Sequence, residues 1–114
     1  MDNLYISFYL RSYRIHVTVS SLRKIGCPER ICFLLNKKQK KIAIIPYKKC
    51  DFKSHKVPKE VYHSRDSLEI SSFLLCRYYS EACNWDIHSS YRIPGEYYEQ
   101  QNAIVYSLAE AEQI

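Results

Sequence analysis

Residues 14–46, RIHVTVSSLRKIGCPERICFLLNKKQKKIAIIP, change hydrophobic period twice in a short distance. Apolar residues alternate at Ile15, Val17 and Val19, the two-residue period of a half-buried strand, and SSLRKIG then reads as a short helix. ICFLL and IAII follow as β-branched and aromatic runs on either side of the lysine-rich NKKQKK. The order strand, helical turn, strand, strand sets the fold class as α+β. Ser20 or Ser21 can accept from the first free amides of the helix, and Gly26 stops it. Pro28 forces Cys27 out of the helical region. Residues 36–41 form the hairpin connection, and Pro46 ends the last strand.

Upstream, LYISFYL aligns Leu4, Ile6, Phe8 and Leu10 on one face, whereas Ile15, Val17 and Val19 have the other parity. A turn or bulge near residues 11–13 accounts for the change of phase. Residues 47–64 keep neither period and read as a linker or a loosely packed arm. Leu68 and Ile70 then mark a strand, and Ser71 or Ser72 caps a helix in which Phe73, Leu74, Tyr78, Ala82 and Trp85 recur at three- to four-residue spacing. Tyr91 and Ile93 precede a turn expected at Pro94-Gly95, Ala103 to Tyr106 form a final strand, and residues 109–114 read as a frayed acidic tail.

The two halves share a plan. VTVSSLRKIG leads to ICFLL and IAII, while LEISSFLLCRYY leads to SYRIPGEYY and NAIVYSL. A βαββ unit of this size cannot cover its own apolar face, so the single domain is expected to hold two units sharing one core. The first spans 1–46 with an extra N-terminal strand, the second spans 65–108, and 47–64 joins them. The expected shared core is Val17, Val19, Leu22, Ile31, Phe33, Ile42, Ile44, Phe73, Leu74, Ile104 and Val105.

Charge separates the units. Residues 1–60 hold fourteen Lys or Arg against four acids, and residues 61–114 hold three against eight, within a net charge of +5. Such a field steers the basic half to a polyanion, or draws the two halves together. Four lysines, Lys37, Lys38, Lys40 and Lys41, crowd one turn, either as a phosphate-contacting face or as a solvated loop. No apolar run approaches a membrane span and no signal peptide is evident, so no membrane is expected and a cytoplasmic setting follows.

The five cysteines are odd in number and irregularly spaced. Cys27 and Cys32 with Cys50 and His55, or Cys76 and Cys83 with His88, lack the close spacing of a zinc knuckle, so reduced core thiols, buried by apolar neighbours such as Ile31, Phe33 and Leu75, and no metal or other cofactor are expected. No signature flanks a nucleophile, and the paired acids Glu96 with Glu99 and Glu110 with Glu112 sit near turns or the tail, so no enzymatic activity is expected. Tyr5, Tyr9 and Tyr13 would share one strand face if it ran straight, either as stacking aromatics or as buried rings with satisfied hydroxyls.

The run TVSSLRKIG followed by ICFLLNKKQKKIAIIP resembles the AbrB and SpoVT group of bacterial transition-state regulators over about a third of the chain. The tandem plan is similar to the double-unit MraZ-like proteins. The resemblance implies a small swapped-hairpin β-barrel with short helices, usually completed by dimerisation, and DNA binding through Arg14 and His16 on the leading strand and Arg23 and Lys24 in the helix. With the hairpin lysines, these residues give the expected function of a small nucleic-acid-binding regulator, possible as a homodimer. The alternative is an inhibitor from a phage or mobile element, of the anti-CRISPR type, that binds a host nucleoprotein or nuclease.

Overall fold

The computed structural model describes residues 3–51, 53–63 and 67–114. Strand β1 (Tyr5–Tyr9) reaches β2 (Arg14–Thr18) through a 3-10 turn at Leu10–Ser12, with Tyr13 left-handed at φ 55°. This turn absorbs the phase change. It lets Ile6 and Phe8 point inward on one strand and Ile15 and Val17 on the next. Helix α1 (Val19–Lys24) ends at Ile25, and Gly26 (φ 99°) turns the chain back toward β3 (Arg30–Asn36) and β4 (Lys41–Pro46). Strand β5 (Ser54–Lys56) and helix α2 (Lys59–His63) come next, then β6 (Ser67–Ser71), α3 (Phe73–Cys83), β7 (Ser90–Tyr98) and β8 (Ala103–Ser107). A 3-10 turn at Leu108–Glu110 and β9 (Glu112–Gln113) complete the described residues.

All strand pairs are antiparallel and run in the order β5-β3-β4-β8-β7-β1-β2-β6, with β9 on β7. The result is a small α+β domain built as a nearly closed antiparallel barrel with a few short helices. The end strands β5 and β6 share no ladder among the described residues. Tyr62 of α2, in the chain between them, ties this region to the first half: its hydroxyl donates to Pro28 O at 2.6 Å, and its carbonyl accepts from Arg23 at 2.8 Å.

Strand β7 is long because it serves two neighbours on one side. Its first residues pair with β9, its last four pair with β8, and β1 runs along its other side. Pro94-Gly95 therefore makes no turn, contrary to the sequence expectation. The missing Pro94 amide costs no ladder bond where β7 exchanges β9 for β8, and Gly95 N donates to Leu4 O at 2.6 Å. Gly95 also clears room for its cross-strand partner Tyr106, because a Cβ there would lie 2.6 Å from the ring.

The core holds Ile6, Phe8, Ile15, Val17, Leu22, Ile31, Ile42, Ile44, Ile93, Ile104 and Tyr106, all inaccessible to solvent. The expected core needs four corrections. Phe33 and Val105 are only half-buried, and Phe73 and Leu74 are 47% and 77% exposed. Helix α3 instead buries Cys76, Tyr79 and Ser80, so the periodicity of Phe73, Leu74 and Tyr78 marks its outer face. ICFLL is not uniformly buried either, since Leu34 points outward. The segment read as aperiodic contains β5 and α2, and Val57 is buried there. The acidic end is also not frayed throughout, because β9 pairs with Tyr91 and Arg92.

The order β2-α1-β3-β4 recurs as β6-α3-β7-β8. Corresponding strands pair with each other across the barrel: Val17 of β2 faces Leu68 of β6, and Ala43 of β4 faces Val105 of β8. Ser72 caps α3 by accepting from Leu75 N at 3.1 Å. Ser21, aligned with it, is instead fully buried and bonds Thr18 Oγ1 and the Tyr106 hydroxyl, each at 2.9 Å. One Ser pair thus divides its work between capping a helix and joining a helix to a strand of the other half.

Candidate nucleic-acid interface

The lysine turn is a built hairpin. Register from Asn36 opposite Lys41 leaves residues 37–40 as the connection, and Lys40 takes the left-handed conformation at φ 52°. The side chain of Asn36 accepts from Gln39 N at 3.1 Å and stiffens the turn from within. Leu108 N donates to Lys40 O at 2.8 Å, so the tip is also tied to the strand end of the other half.

The four lysines have different surroundings. Lys37 Nζ lies 5.0 Å from the centre of the Tyr78 ring on α3, a cation–π contact that holds its stem along the helix. Lys37 and Lys40 line a groove of about 290 Å³ with Tyr78, Glu81 and Cys83. Burial raises the Cys83 thiol pKa, and the charge of Lys40 partly opposes that shift. Lys41 begins β4 opposite Ser107 and is half-buried, whereas Lys38 stands in solvent. None of the four makes an ion pair within the described residues.

Arg14 and His16 project from the outer face of β2, and β6 brings Glu69 directly opposite His16. Glu69 Oε1 lies 3.3 Å from Arg14 Nη1 and 3.1 Å from His16 Nε2, while Ser67 Oγ lies 3.2 Å from His16 Nδ1. The second half therefore compensates the Arg14 charge and supplies a hydrogen-bond partner to each ring nitrogen of His16. Arg23 donates to the Tyr62 carbonyl, and Lys24 lies 5.3 Å from the centre of the Tyr97 ring. The eight basic residues fall into three places: the β3–β4 turn, the end of α1, and the outer face of β2.

Sequence reasoning missed the residues that hold these groups. Tyr78 and Tyr97 contact Lys37 and Lys24, and Glu69 bonds the β2 pair. A signal existed for Glu69, because alternation from Leu68 to Ile70 puts it on the outer face of a strand aligned with β2. The aromatic face expected for Tyr5, Tyr9 and Tyr13 is broken up. Tyr5 packs under Arg92, Tyr9 against His16, and Tyr13, beyond the strand, against Phe73.

The hairpins dock crosswise. The β3–β4 turn lies against α3 through Lys37 and Tyr78. The β7–β8 turn lies against α1, where Asn102 Nδ2 donates to Ile25 O at 3.1 Å and Asn102 Oδ1 accepts from the Tyr97 hydroxyl at 3.0 Å. Among the described residues no three His, Cys, Asp or Glu converge as a metal site. All five thiols are unpaired, but only Cys32 and Cys76 are the buried core thiols expected, since Cys27 and Cys50 sit in exposed connections. No helix in the described residues is long and apolar enough to cross a membrane. Compared with known proteins, the chain matches no family model, no curated protein and no solved structure.

Proposed function

We propose that the protein is a small nucleic-acid-binding regulator, acting on DNA through the β3–β4 hairpin, with no reaction of its own. One observation carries this reading: Lys37, Lys38 and Lys40 on a stiffened turn, and Lys41 directly after it, have no carboxylate partner among the described residues. Lysines held in this way meet phosphates and release condensed counterions, which gives affinity with little sequence preference. Arg23 and Lys24 at the end of α1 supply further contacts. Arg14 and His16 contribute less, because Glu69 already satisfies them.

The crosswise docking of the hairpins supports the AbrB-like and MraZ-like part of the reading. In a swapped-hairpin barrel each hairpin completes the opposite unit, and here the β7–β8 turn bonds α1 while the β3–β4 turn packs on α3. One chain then does what two chains do in a dimer. On this reading the acidic second unit maintains the barrel, and the basic first unit meets the polyanion in the cytoplasm.

Titrating labelled duplex DNA, single-stranded DNA and RNA with the full chain at two salt concentrations tests the proposal. The expected result is duplex binding that weakens steeply with salt. Absence of binding to all three at low salt would overturn it.

A further inference from the structure

Helix α3 is apolar on both faces. Its inner face buries Cys76 and Tyr79, while Phe73, Leu74 and Tyr78 are 47%, 77% and 40% exposed on the outer face. The barrel does not need that second stripe. Beside it, Tyr13 at the β1–β2 turn and Ile87 in the loop after α3 are also exposed, and the Tyr13 and Phe73 rings meet edge to face at 4.9 Å. Tyr13, Phe73 and Ile87 wall a groove of about 460 Å³ whose floor is the buried Leu10 and Cys76. Clustered exposed apolar surface of this kind marks an interaction site, whereas scattered single residues do not.

The polar lining specifies what fits. Arg11, Arg77 and His88 stand at the groove against one acid, Glu81. Arg77 pairs with Glu81 at 3.0 Å and lies over the Phe73 ring, and Arg11 makes no ion pair within the described residues. With Arg77 offset by Glu81, Arg11 leaves the rim of this aromatic cleft positive, and the groove is lined from both halves of the sequence.

We propose that this groove docks an acidic peptide segment of a protein partner, carrying an aromatic or branched aliphatic anchor. The anchor enters between Tyr13, Phe73 and Ile87, and a flanking carboxylate meets Arg11, the groove cation with no ion pair among the described residues. Rings preformed as a wall cost little ordering entropy on binding, and a buried aromatic contact inside a charged rim is the usual composition of a hot spot. This assignment is independent of the nucleic-acid reading and uses a different surface.

Three labelled synthetic peptides of equal length test it: an acidic peptide with Phe and Leu anchors, the same peptide with Ala at the anchors, and the same anchors among lysines. The first should bind the full chain, and the other two at least about tenfold more weakly. Phe73→Ala and Arg11→Gln should each weaken the first complex several-fold, while Leu34→Ala, an exposed apolar residue on β3, should not. Both groove residues are exposed, so unchanged melting of the variants separates lost docking from lost folding. Equal binding of all three peptides, no binding of the first, or an unaffected Phe73→Ala variant would overturn the proposal. Self-association of the parent that Phe73→Ala abolishes would also overturn it, by assigning the groove to a second copy.

Discussion

The β3–β4 and β7–β8 hairpins have the same backbone and differ in nearly everything attached to it. Each turn has four residues and ends on a left-handed one, Lys40 at φ 52° and Asn102 at φ 49°. The first carries Lys37, Lys38, Gln39 and Lys40, with Lys41 opening β4, while the second carries Glu99, Gln100, Gln101 and Asn102. Aligned on their turns, the cross-strand pair Phe33 with Ile44 corresponds to Gly95 with Tyr106. The large aromatic has moved from one strand to the other. The buried member of each pair, Ile44 or Tyr106, stays apolar toward the core, whereas solvent leaves charge free to diverge, so charge is where the two hairpins acquire different roles.

The sharpest test of the volume exchange is to remove each aromatic. Tyr106 is inaccessible to solvent and its hydroxyl bonds Ser21, so Tyr106→Ala should lower stability by about 3–5 kcal/mol in chemical denaturation. Phe33 is only partly buried against the core, and Phe33→Ala should cost only about 1–2 kcal/mol. Equal losses would break the comparison. Adding volume at the small member of the pair comes next. Gly95→Ala sets a Cβ against the Tyr106 ring and Ile104, a predicted loss of about 1–3 kcal/mol. Combining it with Tyr106→Ile should give a double variant more stable than the sum of the single losses.

A smaller effect separates the two helices. Alignment on the Ser pairs sets Cys76 of α3 opposite Ile25 after α1, both buried, and only the cysteine titrates. Burial pushes the Cys76 thiol up to about 11 from its ordinary 9.0. Above the ordinary value the unfolded thiol ionises while the folded thiol remains protonated. Stability from this group is therefore present below pH 9.0 and lost as pH rises toward 11. Denaturation midpoints across that window should fall less steeply for Cys76→Ala than for the parent, and parallel curves would contradict the assignment.

Smallest of all is the release of the β2 pair. Glu69→Gln should change stability by less than about 0.5 kcal/mol, because its contacts are exposed. It should tighten duplex binding slightly and steepen its salt dependence as the Arg14 charge becomes free. Unchanged binding would show that the outer face of β2 lies away from the nucleic acid.

Most strands were legible because one face of each is buried and the two-residue period survives in residues such as Ile6, Phe8, Ile15 and Val17. The β3–β4 turn was legible from its polar run. Helix α3 was misread because it has an apolar stripe on each side, and periodicity cannot say which stripe meets the barrel. Pro94-Gly95 misled because its local signal is that of a turn, while its role depends on β7 changing neighbours and on the Tyr106 ring. Of the basic residues, the lysine turn could be read directly from its run. The bonding of Arg14 and His16 to Glu69 depends on the β2–β6 register, a contact between residues more than fifty positions apart.

The central claim is that the lysine hairpin meets phosphates and its acidic counterpart does not. Duplex DNA affinity should be measured against salt for the parent, for the variant with Lys37, Lys38, Lys40 and Lys41 all changed to Gln, and for Glu96→Gln with Glu99→Gln. The account predicts that the lysine variant folds normally, binds more weakly at every salt concentration, and loses about 0.9 in log–log slope for each phosphate contact removed. The glutamate variant should keep the parental slope. Parental affinity and slope in the lysine variant would contradict the account.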